Sequence, residues 1–327
     1  MANPPITGDR ARSLGRVRKF VQGLRSGDAA AYLLTLLAAA SILLVTVLLV
    51  FQLYVNCALP RHKFGLEFFL GRTWDPVSGD FGALPFVYGT LVSSALALLI
   101  AVPLGVGAAI FLSELAPARI SDATTFVIEL LAAVPSVIYG LLGIFILVPV
   151  LRQYVMPFLK NSLGFLPLFK GPIYGVSMLA AGVVLAIMIV PFIISVSREV
   201  LLAVPVEQRE AALGLGATKW ESTWQIVVPF ARVGILASIF LALARALGET
   251  MAVTMVIGND PKINASLFAP GYSIAAVIAN EFTEATGDLY LQSLIELGLV
   301  LFLVTIIING LARLVIIVTT QKGAVHG

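Results

Sequence analysis

Two ionisable side chains in one long apolar stretch are the strongest candidates for chemistry in this sequence. Arg245 and Glu249 are four positions apart, so on a helix they would share one face. A charged group inside a membrane helix costs about 2.5–3.5 kcal/mol on insertion scales, so both are expected to face the interior of a bundle or water. Arginine keeps its charge when buried, and its planar fork of donors suits an oxyanion such as phosphate. The alternative is a structural ion pair that holds helices together.

A pathway for an anion needs weak binding, because a site that binds tightly traps its cargo. Glu249 is expected to offset the charge of Arg245 and so keep the binding weak. Glu129 and Glu296 lie in other apolar stretches and are secondary candidates for the same pathway, since their burial would carry a similar cost. Arg313 is expected near the end of the last apolar stretch, where it can snorkel to the surface as an anchor.

The polar segment 198–232 separates two long apolar stretches and predicts two short helices joined by a glycine turn. Pro205 suits the first turn of a helix, where its missing N–H is not needed. Gly214 and Gly216 interrupt the helical pattern, and glycine can take the left-handed conformation that ends a helix. A T-x-x-E capping box at 218–221 then starts the second helix.

This segment is interpreted as a rigid knob that docks on a partner. The small side chains of Ala211 and Ala212 would let its first helix lie close in a groove, with Glu210 as a charged anchor. Trp220 and Trp224, four positions apart, are expected to share a face of the second helix. The alternative is a solvated amphipathic loop whose tryptophans lie at the lipid interface, where this residue is enriched.

Composition indicates an all-α polytopic membrane protein. Of the 327 residues 59% are hydrophobic and 12% are charged, whereas a soluble domain is about 25% charged. The mean hydropathy is +1.00, and several stretches exceed the roughly 20 apolar residues that a membrane helix needs. The six predicted spans are 31–55, 84–112, 124–151, 174–197, 231–257 and 289–319.

Basic residues set the predicted orientation. Six Lys or Arg residues precede the first span, and cytoplasmic flanks of membrane proteins carry such an excess. The first apolar run is also too long for a cleaved signal peptide, so we expect it to be retained as a helix. From the N-terminus, the predicted parts are a cytoplasmic tail (1–28), the first transmembrane helix (29–56), an external loop (57–83), a five-helix transmembrane domain (84–320) with the cytoplasmic segment 198–232, and a cytoplasmic tail (321–327).

The sequence indicates no covalent chemistry of its own. It has no G-x-x-x-x-G-K-[ST] loop, so we expect no nucleotide cradle. Cys57 is the single cysteine, and His62 and His326 are the two histidines, so we expect neither an intramolecular disulfide nor a metal centre. The basic residues are spread over the membrane flanks, which argues against nucleic acid as a partner. Energy for uphill transport would therefore have to enter from outside the chain.

The polar segment resembles the coupling motif of permease subunits of binding-protein-dependent ABC importers, E-A-A-x3-G-x9-I-x-L-P. The matching residues are Glu210, Ala211, Ala212, Gly216, Ile226 and Pro229. Val228 stands where leucine is usual, which is a conservative apolar change. Further segments are similar to the PstC type of phosphate-importer permease, namely 80–91, 111–117, 244–253 and 268–271. The resemblance covers about residues 29–320.

This resemblance implies a type I ABC importer permease fold in a bacterial inner membrane. An extracytoplasmic phosphate-binding protein of the PstS type would deliver inorganic phosphate, and a second permease of the PstA type would complete the pathway. Two copies of an ATPase subunit of the PstB type would bind the cytoplasmic loops. Those subunits would carry ATP and magnesium, so this chain would be non-catalytic and would hold no cofactor. ATP would switch the importer between outward and inward access.

Other functions stay open at this point. The substrate could be another oxyanion, such as molybdate or sulfate, and the chain could be the sister subunit of the PstA type. An ion-coupled secondary transporter would be expected to show inverted repeats with broken helices, and no convincing internal repeat is present. A membrane scaffold without flux would not need Arg245 and Glu249 inside a span.

Overall fold

The computed structural model describes the backbone of residues 28–324 and the side chains of residues 31–317. Residues 1–27 and 325–327, which include the basic cluster before the first span and His326, lie outside the described residues. The chain divides into two compact units, Met1–Asn56 and Cys57–Gly327. The described part of the first unit is one helix, α1 (Asp28–Asn56), which is apolar along its length.

The described part of the second unit is largely helical. Its helices are α2 (Ala58–Phe64), α3 (Glu67–Leu70), α4 (Leu84–Leu115), α5 (Ala118–Ala132), α6 (Ser136–Leu163), α7 (Met178–Leu202), α8 (Val206–Gly214), α9 (Lys219–Leu247), α10 (Met251–Val256), α11 (Ile274–Glu281) and α12 (Asp288–Ala324). One antiparallel hairpin pairs β1 (Trp74–Asp75) with β2 (Asp80–Phe81). A single 3-10 turn lies at Pro167–Phe169.

Six of the described helices are long and apolar enough to cross a membrane, which agrees with the predicted number of spans. They are α1, α4, α6, α7, α9 and α12. Four of the predicted spans match the structure to within five residues at either end, and the other two are displaced. The fold class predicted from composition is therefore confirmed as an all-α polytopic membrane protein.

The third predicted span, 124–151, is wrong. Its apolar run is interrupted at Pro135, because α5 ends at Ala132 and α6 begins only at Ser136, with Pro135 as its N-cap. The residue before a proline is driven out of the helical region, so a proline at this position marks a boundary between helices. The membrane-length helix is α6, and Glu129 is exposed on the 15-residue α5, outside the six candidate spans.

The fifth predicted span, 231–257, is displaced at both ends. α9 begins at Lys219, because the capping box leads directly into apolar sequence without a second loop. The predicted second short helix of segment 198–232 is therefore the first part of α9. At the other end the long helix stops at Leu247, and residues 248–250 separate it from the short helix α10.

Prolines within two of the long helices follow π-helical turns. Such a five-residue turn ends two positions before each of Pro149, Pro157 and Pro229. Proline lacks an N–H, and its ring clashes with the carbonyl four residues earlier in a regular α-helix. The wider π turn moves that carbonyl aside, so α6 and α9 continue as single long helices.

α7 is the central helix of the second unit and packs along α4. The two helices approach closely where glycine faces a larger side chain. A Cβ on Gly105 would lie 2.7 Å from Cγ2 of Ile193, and a Cβ on Gly182 would lie 2.5 Å from Cδ2 of Leu96. Small residues at such crossings allow tight packing, which matters in lipid because dispersion replaces the hydrophobic driving force there.

The segment after α10 closes over the first turn of α7. The N–H groups of Met178 and Leu179 donate to the carbonyls of Ala269 and Leu267, at 3.0 and 2.9 Å. These bonds satisfy N–H groups that a helix leaves without partners in its first turn. Phe268 is fully buried beneath them, so the segment is an integral part of the packed structure.

The predicted loop 57–83 is ordered, and its hairpin is fixed against α4, α11 and α12. Trp74 Nε1 and the Tyr290 hydroxyl both donate to Oε2 of Glu281, at 2.8 and 2.7 Å. The Trp74 ring also meets the Phe86 ring edge to face, with the ring centroids 4.8 Å apart. One carboxylate therefore connects the hairpin to two helices.

Candidate functional site

The turn between α8 and α9 begins with a Schellman motif. The N–H of Ala217 donates to the carbonyl of Ala212 at 3.1 Å, and the N–H of Gly216 donates to that of Leu213 at 3.0 Å. Gly216 has a φ of +90°, in the left-handed region that favours glycine. The predicted glycine turn is confirmed, with Gly216 as the residue that makes it and Gly214 still helical.

The predicted capping box closes the other side of the turn. Oγ1 of Thr218 accepts from the N–H of Glu221 at 3.3 Å, and Oε2 of Glu221 accepts from the N–H of Thr218 at 2.7 Å. One residue separates this cap from Gly216, so two capping motifs follow each other almost directly and hold the turn. Pro205 differs slightly from its prediction, since it is the N-cap of α8 and Val206 is the first helical residue.

Most of the surface of α8 faces outward. Glu210 and Ala211 are exposed, and Leu215, directly after the helix, is 91% exposed. Ala212 is the only fully buried residue of α8. An exposed helix with small outer side chains, held by a fixed turn, is suited to lie in the groove of a partner.

The first turns of α9 carry the exposed tryptophan pair and the remaining motif residues. Trp220 and Trp224 share a face as predicted, with their ring centroids 5.5 Å apart. Ile226 lies half-buried in the π turn, and Pro229 follows it on the exposed side. The exposed tryptophans suit both a partner surface and a lipid interface.

Arg245 and Glu249 do not share a helix face, contrary to the prediction. α9 ends at Leu247, and Glu249 lies in the break, where its Oε1 accepts a hydrogen bond from the N–H of Ala252 at 3.2 Å. The break follows from Gly248, because glycine is a poor helix former, and from the carboxylate, which satisfies a free N–H of α10. Within the described residues no carboxylate oxygen lies within 4.0 Å of the Arg245 guanidinium, so the structural ion pair is absent.

The Arg245 side chain is exposed in the single chain and lies over an aromatic ring. Its Cζ is 5.8 Å from the ring centre of Phe192, which belongs to α7. A cation over an aromatic face is attracted by the quadrupole of the ring, and this contact uses no N–H donor. The donors of Arg245 therefore remain available to an anion.

Glu129 and Glu296 occupy different surroundings. Glu129 is exposed on α5, as described above, whereas Glu296 within α12 is 3% exposed and its Oε2 has no hydrogen-bond partner in the described structure. Burial first, and then the charge of Glu296, raise the pKa of the buried Cys57 thiol at the start of α2. Among the described contacts no hydrogen bond or ion pair joins either carboxylate to Arg245. In the described structure, the four predicted pathway residues are therefore not joined to one another by hydrogen bonds or ion pairs.

An ion pair that the sequence argument missed joins α8 to the last turn of α4. Arg209 donates to both carboxylate oxygens of Glu114, from Nε to Oε2 at 3.2 Å and from Nη2 to Oε1 at 3.0 Å. In the sequence, Arg209 is only one of several basic residues of a polar segment. The available signal was Glu114, because a carboxylate at the end of an apolar span needs a partner.

Within the described residues the arrangement suits anion binding and docking. No group of three or more His, Cys, Asp and Glu side chains there could hold a metal ion. The guanidinium of Arg245 is a planar, permanently charged donor of the kind that binds oxyanions. The exposed α8 and its fixed turn present a helix to a partner.

The sequence is similar to one family model and to the three relatives described here. Residues 101–316 match the model of the binding-protein-dependent transport system inner membrane component. A Mesorhizobium japonicum protein named phosphate transport system permease protein PstC is 48% identical over 281 residues, covering 84% of this chain and 86% of the relative. The Haemophilus influenzae protein of the same name is 49% identical, covering 78% and 82%. A Methanocaldococcus jannaschii protein named probable phosphate transport system permease protein PstC is 36% identical, covering 84% and 89%.

Among solved structures, the chain is similar to the MetNI methionine ABC transporter in an inward-facing conformation. The TM-score is 0.53 at 14% identity, and the match covers 76% of this chain and 99% of that chain. At this identity the likeness concerns the fold alone. The fold is that of an ABC importer permease.

Proposed function

Because this chain belongs to the family of inner membrane components of binding-protein-dependent transport systems, we propose that it is a permease subunit that translocates inorganic phosphate inward in an ATP-driven importer. The phosphate assignment follows the names of relatives that are 36–49% identical over most of the chain. The alternative substrate is another oxyanion, such as molybdate or sulfate, and the experiment below distinguishes it from phosphate. The chain itself is non-catalytic in this proposal.

The observation that carries the proposal is the exposed helix α8, which is followed by a turn held by a Schellman motif on one side and a capping box on the other. Glu210 and Ala211 point away from the membrane helices, while Gly216 and the capping box fix the angle at which α8 meets α9. A permease subunit that takes its energy from a separate ATPase must receive force through a surface that the ATPase can contact. We propose that α8 and the following turn dock in a groove of the ATPase subunit.

The unpaired guanidinium of Arg245 is the proposed contact for phosphate along the pathway. Its exposure in the single chain suits a surface completed by a second permease. Glu249 lies close in sequence at the helix break and would limit how tightly the anion is held. Glu129 and Glu296 are kept as secondary proposals, with Glu296 the more costly carboxylate to bury.

Three kinds of protein partner belong to the proposal. Two copies of a PstB-type ATPase would bind ATP and magnesium and dock on the cytoplasmic loops, which include segment 198–232 of this chain. A PstA-type permease would complete the pathway, and a PstS-type binding protein would deliver phosphate at the opposite face. We propose a bacterial cytoplasmic membrane location with both termini and segment 198–232 in the cytoplasm, on the positive-inside argument.

Reconstitution tests this function. The chain would be co-expressed with a PstB-type ATPase and a PstA-type permease, and the complex would be reconstituted into liposomes that hold ATP. Uptake of radiolabelled phosphate from added binding protein would then be measured. We expect phosphate uptake to require ATP, with ADP as the control. Excess molybdate or sulfate should not suppress this uptake. Suppression of phosphate uptake by one of these oxyanions would favour that oxyanion, and not phosphate, as the substrate. Uptake driven by an ion gradient without a co-purified ATPase would favour a secondary transporter and contradict the proposal.

A further inference from the structure

The side chain of Arg209 connects α8 to two membrane-length helices at once. Besides the two bonds to Glu114 on α4, its Nη2 donates to the carbonyl of Leu201 at 2.7 Å, and its Nη1 donates to the carbonyl of Val204. Leu201 lies in the last turn of α7, and Val204 lies two residues after that helix ends at Leu202. The exposed fractions of the side chains are 21% for Arg209 and 10% for Glu114, so water competes little for these bonds. One guanidinium therefore holds α8, α7 and α4 together.

α8 has few other anchors. The apolar cluster at this end of the bundle is formed by residues from α4, α5, α7 and α9, including Leu112, Ile128, Ile194 and Val227, and no residue of α8 belongs to it. Ala212 is the only side chain that α8 buries fully, and a methyl group offers little contact area. The polar contacts of Arg209 are thus the main side-chain connection between α8 and the ends of α4 and α7.

The acceptor side of this connection is itself held in place. Glu114 lies in the π-helical last turn of α4. The carbonyl of Leu112 in the same turn accepts from Oγ of Ser121 at 2.8 Å, and that hydroxyl accepts from Nη2 of Arg198 on α7 at 3.3 Å. The end of α4 is therefore bonded to α5 and α7 independently of Arg209. A force that reaches Glu114 acts on a fixed part of the bundle.

We propose that Arg209 is a positioning residue that makes α8 and the adjoining ends of α4 and α7 move as one body. This inference rests on the proposed function for the source of the movement, which is the partner ATPase. The guanidinium suits the role because its planar fork holds both carboxylate oxygens while further N–H donors reach the carbonyls. A lysine at this position keeps the charge but cannot make this set of bonds.

Distance measurement between spin labels tests the link without any substrate. Labels would be placed at Glu207→Cys on α8 and Leu99→Cys on α4, both exposed positions, in the assembled complex with Cys57→Ser. With Arg209 present we expect a narrow distance distribution that stays narrow when ATP is added. We expect Arg209→Gln to broaden the distance distribution at least about twofold. Glu114→Gln should broaden it less, and Arg209→Lys should give a width between those of the wild type and Arg209→Gln. Phosphate uptake per ATP hydrolysed should fall in the same order, by about tenfold for Arg209→Gln.

The controls are Arg119→Gln and Asp122→Asn, which remove one charge each from exposed positions of α5 at the same end. Both should keep the narrow distribution and the normal ratio of uptake to ATP. If Arg209→Gln does not assemble, Arg209→Lys and Glu114→Gln decide the question. Wild-type widths in every assembled Arg209 and Glu114 variant would overturn the proposal. Because the distances need no phosphate, that outcome is distinct from a wild-type complex that fails to transport phosphate.

Discussion

Arg245 is the residue at which the structure changes the argument most. The sequence left two interpretations, an ion pair with Glu249 or an anion contact, because four positions on an unbroken helix would bring the groups together. The helix break after Leu247 separates them and assigns Glu249 to the cap of α10. The Arg245 guanidinium is exposed and has no carboxylate partner in the described structure. If the proposed second permease covers it, an anion would offset the cost of burying its charge.

Replacement of Arg245 by glutamine should abolish most phosphate uptake while the complex still assembles. A charge-assisted hydrogen bond contributes about 1.5–3 kcal/mol, which corresponds to a loss of roughly 10- to 100-fold. Arg245→Lys should recover little, since lysine keeps the charge and loses the planar fork. The measurement is radiolabelled uptake normalised to assembled complex, with Arg313→Gln as the control arginine at the end of the last span. Near-normal uptake by Arg245→Gln would remove this residue from the pathway.

The pathway candidates show what single residues in a sequence can and cannot reveal. Arg245 could be recognised because its charge in an apolar stretch is costly wherever the helix ends. The separation of Glu249 from Arg245 could not be predicted, because one glycine, Gly248, decides whether Glu249 belongs to the same helix. Glu129 was misplaced for a similar reason, since its span depended on how Pro135 divides an apolar run.

At the scale of elements, the α8 turn could be predicted almost completely because its determinants are local. A left-handed glycine and a T-x-x-E box act within a few residues, so their sequence is enough to specify them. The contact of Arg209 with Glu114 joins residues 95 positions apart. The position of Glu114 signals that its carboxylate needs a partner, but neither local sequence identifies Arg209 as that partner. The start of the second helix was predicted, but its continuity with the fifth span was missed, because a π turn, which no simple periodicity describes, carries the helix past Pro229.

A matched pair of glycines tests whether the geometry of the turn matters. A Cβ added at Gly214 or at Gly216 would meet no heavy atom within 4 Å, but only Gly216 has a positive φ. Gly216→Ala should therefore cost roughly 1–2 kcal/mol through backbone strain alone, whereas Gly214→Ala should stabilise α8 by up to about 1 kcal/mol. We expect phosphate-stimulated ATP hydrolysis to fall several-fold in Gly216→Ala and to stay normal in Gly214→Ala. Equal stimulation in both variants would show that the angle of α8 is not required for coupling.

The hairpin at the other end of the bundle depends on one carboxylate. Glu281→Ala removes the acceptor shared by Trp74 and Tyr290, at a cost of about 2 kcal/mol to the local structure. Backbone amides of residues 74–81 should then exchange with deuterium at least about tenfold faster, as measured by mass spectrometry. Glu281→Gln keeps an acceptor oxygen and should lose less protection, and Glu284→Ala, at an exposed carboxylate, is the control. Unchanged exchange in Glu281→Ala would mean that ring packing alone holds the hairpin.

At the scale of the whole molecule, the second unit has two ordered regions at opposite ends of its membrane-length helices. One end carries α8, its turn and the bonds of Arg209. The other carries the ordered loop 57–83 and the segment that covers the first turn of α7. Composition was sufficient to predict the class and the number of spans, because six long apolar stretches leave few alternatives in a bilayer. The side of the membrane on which each end lies is a separate question. The positive-inside rule predicts it from the distribution of Lys and Arg residues.

Cysteine labelling at two highly exposed positions, Val77 and Leu215, determines this orientation. In a Cys57→Ser background, Val77→Cys should react with a membrane-impermeant maleimide added to intact cells, since Val77 is 97% exposed at the hairpin. Leu215→Cys should react only in inverted vesicles from which the ATPase has been stripped, because α8 is expected to lie in the cytoplasm beneath that partner. The native Cys57 should stay unlabelled from both sides, because burial keeps its thiol inaccessible and raises its pKa. Ser222, although it lies in the same segment as Leu215, is buried and would resist the reagent on either side. Labelling of Leu215→Cys in intact cells would reverse the orientation, and the ATPase could not then reach α8.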